Sequence, residues 1–117
     1  MYPLGNEGKR IPNDPLEFIK RCVRERRILW TYHVNMRLRG RSISREAIVG
    51  AVNTYEIIEA YPKDKYLPSY LVYAVHQGQV LHILFAVDMG VDNVRVVTAY
   101  RPDSHEWGSD LRKRRVP

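Results

Sequence analysis

The chain has 117 residues, 44% hydrophobic and 27% charged, with seven glycines and seven prolines; this suits one globular domain and excludes a disordered or collagen-like chain. A single cysteine, Cys22, excludes an internal disulfide and points to the cytoplasm, and no apolar run reaches the ~18 residues of a membrane span, so no membrane partner is expected. The formal net charge of +6 favours a polyanionic partner.

Residues 1–13 have no apolar signal core and read as a flexible N-terminal segment, followed by a single domain over 14–107 and a basic C-terminal tail over 108–117. Asp14 is placed to cap a helix, with Pro15 at its first position and Glu17 at capping-box spacing. The apolar residues Ile19, Cys22, Val23, Leu29, Trp30 and Met36 continue one stripe, predicting a single helix to about Arg39 that ends at Gly40. Ser44 then caps a shorter helix to about Val52. From Thr54 the apolar period becomes two, and strands are predicted over 55–61, 70–75, 80–87 and 94–100. The connections at 76–79 and 88–93 are short, so the strands they join should be antiparallel. The expected class is α+β, with two N-terminal helices packed on one face of a four-stranded antiparallel sheet.

Charge is unevenly spread. Residues 16–45 hold nine basic residues against Glu17 and Glu25, a local +7, whereas 46–88 sum to −3. The first helix should therefore be the basic side, with Arg24 and Arg27 among its contacts to RNA or an acidic protein, unless it is only a solvated face.

No paired cysteines, His-Glu-x-x-His segment, Gly-rich phosphate loop or local carboxylate cluster occurs, so neither a metal nor a cofactor is expected. Cys22 sits in an apolar stripe and reads as an inert thiol, while His76 and His105 fall in a loop and the tail. His82 interrupts the apolar run 80–87, where a polar group must be hydrogen-bonded in the core or face a cleft. If the 88–93 loop closes an even register, Thr98 and Tyr100 share its face. His33 has Arg37 one helical turn later and Arg41 just beyond Gly40. A guanidinium pair matches phosphate oxygens, and cations beside an imidazole keep it neutral and able to act as a base.

The ordered set formed by His33, Arg37, Gly40-Arg41-Ser42-Ile43-Ser44, Glu56 to Pro62, Leu81-His82-Ile83, Val97-Thr98-Ala99-Tyr100-Arg101-Pro102 and Trp107 resembles the small bacterial DUF4258 family. The resemblance covers about 28–107 and implies kinship with RelE-like and barnase-like ribonucleases that work without a metal, often encoded beside zinc-finger antitoxins. It implies a RelE-like curved sheet and an endoribonuclease acting as the toxin of a type II toxin-antitoxin pair. The expected partners are RNA and a cognate antitoxin of zinc-finger or acidic type. In that chemistry an imidazole takes the ribose 2′-hydroxyl proton, the oxygen attacks phosphorus, and an acid protonates the leaving oxygen. His82 is the first choice as base and His33 or Tyr100 as acid, in either order, with Arg37 and Arg41 stabilising the phosphorane. Thr98 falls on the family pattern; Arg41, Tyr61 and Trp107 accompany it as substrate contacts. The alternative is a non-catalytic RNA-binding or protein-interaction module of the same fold.

Overall fold

The computed structural model describes residues 10–116; residues 1–9 of the N-terminal segment, and Pro117, lie outside the described residues. The order of elements is α1 (Pro15–Arg24), β1 (Ile28–Trp30), α2 (Tyr32–Gly40), α3 (Arg45–Gly50), a 3-10 turn (Val52–Thr54), β2 (Glu56–Tyr61), β3 (Ser69–His76), β4 (Gln79–Asp88) and β5 (Asn93–Tyr100). The strands form one sheet ordered β1-β5-β4-β3-β2, parallel between β1 and β5 and antiparallel elsewhere. Three α-helices and a five-stranded mixed sheet thus replace the expected two helices and four-stranded antiparallel sheet. Among the described residues no helix is long and apolar enough to cross a membrane.

The difference arises where one continuous helix was expected. Asp14 caps α1 as predicted, its carboxylate accepting from the Glu17 amide at 3.1 Å. The helix then stops, because Arg26 takes a left-handed conformation with φ 62°. The Arg26 amide donates to the Val23 carbonyl and the Arg27 amide to the Cys22 carbonyl, the paired bonds of a Schellman stop. An arginine there carries none of the signal a glycine would. Ile28–Trp30 extends and pairs with Val94–Val96, after which the Thr31 hydroxyl caps α2 by accepting from the Val34 amide at 3.2 Å. The apolar stripe is cut accordingly: Ile19, Cys22 and Val23 are buried, whereas Leu29 and Met36 are exposed.

One face of the sheet holds the core. Ile83, Phe85, Val87, Val72, Val94 and Val96 pack against Ile19 and Val23 of α1, Val34 and Leu38 of α2 and Ile48 of α3. The four expected strands occur with their ends moved by one residue or so, and Gln77-Gly78 joins β3 to β4 with φ of 49° and 78°, the left-handed pair of a type I′ hairpin turn. His82 lies opposite Tyr100, and Leu84 opposite Thr98, so His82, Thr98 and Tyr100 share the face away from the core; a bulge between Leu84 and Phe85 then shifts the register.

Candidate functional site

The outer face is partly roofed by the chain's own end. Residues 103–116, which include most of the basic tail, fold back into a compact strap in which Trp107 bridges Arg114 and the Gly108 amide donates to the Lys113 carbonyl at 2.7 Å. Two arginines fasten it to β2. Arg112 donates twice to Glu56, at 2.9 and 3.1 Å, and Arg114 twice to Glu59, at 2.7 and 3.2 Å. Each guanidinium also covers an aromatic ring, Arg112 that of Tyr73 at 4.0 Å and Arg114 that of Trp107 at 4.6 Å. Planar stacking combined with forked donation is what distinguishes arginine from lysine at such contacts.

His82 is sealed beneath this strap, with no exposed surface. Its Nε2 lies 2.7 Å from the Leu111 carbonyl oxygen, which only accepts, so the neutral ring carries its proton on Nε2. Nδ1 is left to accept from the Tyr100 hydroxyl at 3.4 Å, and the Trp107 ring stands edge-on 4.4 Å from the imidazole. Burial holds the imidazole below its ordinary pKa, outweighing the opposite pulls of the Leu111 carbonyl and Glu59. Burial likewise raises Tyr100. Glu59 is pushed up by burial but more strongly down by Arg114 and by the Tyr61 hydroxyl bonded to it, and settles below the usual carboxylate range. Near neutral pH the cluster is therefore a neutral imidazole and two neutral phenols beside an Arg114-Glu59 ion pair.

The structure brings together His82, Thr98, Tyr100, Tyr61 and Trp107 on the outer face. Arg41 joins them at the rim, where its guanidinium donates to the Thr98 hydroxyl at 3.0 Å and the Ala99 carbonyl at 2.8 Å. His33 and Arg37 stand apart from this group, exposed on α2. Arg24 and Arg27 are occupied: Arg24 donates to Asn53 at 2.8 Å and lies 3.9 Å from Glu17, while Arg27 pairs with Glu25 and Asp92. Sequence reasoning missed Glu59, Arg114, Arg112 and Tyr73. Parity alone places Glu59 on the face of Tyr61, two residues on.

A second surface is built by α2. From Arg26 to Arg45 there is no acidic residue. The ion pairs among the described residues use Arg21, Arg24, Arg27, Arg112 and Arg114, and neither Arg37 nor Arg39. Tyr32 is 73% exposed beside them, its ring edge-on to His33 at 6.0 Å. Among the described residues no group of three or more His, Cys, Asp or Glu side chains is placed to hold a metal ion.

The sequence profile described as "Domain of unknown function (DUF4258)" matches residues 30–101, from the last residue of β1 to just past β5. No curated protein and no solved structure matches the chain.

Proposed function

Because this chain belongs to the DUF4258 family, whose description names no activity, its function has to rest on its own surface, and we propose that it is an RNA-binding module that holds single-stranded RNA on the α2 face. The observation that carries this reading is the acid-free segment 26–45, in which Arg37 and Arg39, in no ion pair among the described residues, stand on one helix with exposed Tyr32, His33 and Met36. Arginines answer the phosphates and an exposed ring stacks an unpaired base, the combination used for single strands. Fluorescence anisotropy with a labelled single-stranded RNA, repeated over a range of salt, tests it. Charge reversal by Arg37→Glu with Arg39→Glu should weaken binding at least tenfold and flatten the salt slope by about 0.7 for each phosphate no longer neutralised. Unchanged affinity and slope would reduce α2 to a solvated face.

A second reading, an endoribonuclease toxin, is favoured by one observation: an imidazole, two phenols, a carboxylate and a guanidinium share the outer face at His82, Tyr100, Tyr61, Glu59 and Arg114. In that reading a base there takes the ribose 2′-hydroxyl proton, the oxygen attacks phosphorus, and an acid delivers a proton to the departing 5′ oxygen, leaving a cyclic phosphate. Both His82 nitrogens are engaged within the protein, so cleavage requires the strap to lift. An antitoxin with an acidic segment would compete with RNA for α2. Incubation of total RNA with the wild type and with Tyr100→Phe decides: cyclic-phosphate ends that disappear in the variant support cleavage, and intact RNA leaves binding as the whole activity.

A further inference from the structure

At the other end of the outer face, away from the strap, a cavity of about 460 Å³ opens between the 62–68 loop and strands β4 and β5. Its floor is apolar, from Leu84 and Ala86, and its walls bring Arg95, Lys65 and Tyr66. Arg95 is the unusual member. Its Nε is buried and has no hydrogen-bond partner among the described residues, although a buried guanidinium N–H left unpaired is costly and uncommon. Its neighbour across the ladder is Ala86, whose methyl group leaves the guanidinium space, and on the other side is Leu29. Thr31, the N-cap of α2, also lines the cavity, so the positive end of that helix adjoins it.

We propose that this cavity is a nucleotide subsite, in which Arg95 and Lys65 take a phosphate and the base lies over the apolar floor against Tyr66. The inference deepens the RNA-binding reading and rests on it for the claim that the nucleotide belongs to an RNA strand. A phosphate in the cavity would draw the Arg95 guanidinium toward it, giving Nε the acceptor it lacks where it lies buried, in the forked geometry a guanidinium favours. An aromatic wall and aliphatic floor suit a planar base. The one carboxylate in the wall, Asp64, already accepts from the Ser69 hydroxyl.

The test is calorimetric titration of adenosine monophosphate into the full chain, with Arg95→Gln, Arg95→Lys, Tyr66→Ala and the Arg37→Glu, Arg39→Glu pair as variants. The expected result is binding that falls at least tenfold in Arg95→Gln and severalfold in Tyr66→Ala, is partly kept in Arg95→Lys, and is unchanged by the α2 pair. Thermal midpoints verify that each variant is folded; should Arg95→Gln fail to fold, Arg95→Lys and Tyr66→Ala carry the test. Equal affinity in wild type and every cavity variant overturns the proposal, as does an acidic peptide that binds through Arg95 where the nucleotide does not. RNA binding on α2 without Arg95-dependent nucleotide binding sinks the subsite alone. Nucleotide binding without any RNA binding sinks the strand reading and keeps the cavity as a nucleotide site.

Discussion

Replacing Trp107 by alanine is expected to destabilise the protein by about 3–5 kcal/mol, the range for deleting a large buried ring, and to lower the thermal midpoint by more than about 12 °C. The reason lies in what the ring holds. Trp107 is 1% exposed, walls the His82 imidazole at 4.4 Å and carries the Arg114 guanidinium on its face. Without it the Arg114-Glu59 pair loses its support and water reaches the outer face. Differential scanning calorimetry gives the midpoint, and proton exchange at His82 Nε2 reports whether the strap has opened. A near-native midpoint with His82 still protected would show that the strap is held by its ion pairs and not by the tryptophan.

The second large effect is one of pH. The folded imidazole of His82 titrates below its ordinary value because it is buried, so as pH falls the unfolded chain binds the proton first. Stability contributed by the neutral ring is intact above about pH 6.5 and is lost below it, at up to about 1.4 kcal/mol per pH unit until the folded group also protonates. The surrounding groups do not cancel this: burial, with Arg114 on the same side, outweighs the Leu111 carbonyl and Glu59, which favour the cation. Denaturant titrations between pH 7.5 and 5 should show the fall. His82→Asn should be less stable at pH 7.5 but lose little more on acidification, while His105→Asn, altered at an exposed position, should follow the wild type. A wild-type slope that persists in His82→Asn would place the titrating group elsewhere.

Hydrophobic period and turn chemistry were sufficient to find β2 to β5, the α1 and α3 caps, and the common face of His82, Thr98 and Tyr100. The break between α1 and α2 was invisible because its signal is a backbone conformation: Arg26 occupies a left-handed position that glycine usually marks. β1 was missed since three residues within a longer amphipathic pattern resemble part of a helix, and only their partners at Val94–Val96 make them a strand. The burial of His82 was equally unreadable, because the lid comes from distant Trp107 and Leu111. One clue did lie in the sequence. The acidic Glu56 and Glu59 and the basic Arg112 and Arg114 are matched in charge, and the structure pairs them across the strap. By contrast, exposed His33 and Arg37 follow from their i, i+4 placement on a helix whose buried residues are Val34 and Leu38.

The parallel pairing of β1 with β5 orders the assembly of the chain in time. β2 to β5 are successive neighbours joined by local turns and can zip together without help from the segment that precedes them. β1 can join only after β5 exists, and it must come from far back in the sequence to do so. Closing so long a loop is entropically slow compared with making a hairpin. On a translating ribosome, the earlier-emerging segment bearing α1 and α2 therefore waits undocked until residues 94–96 have left the exit tunnel. Its arginines meet the cell before the sheet does.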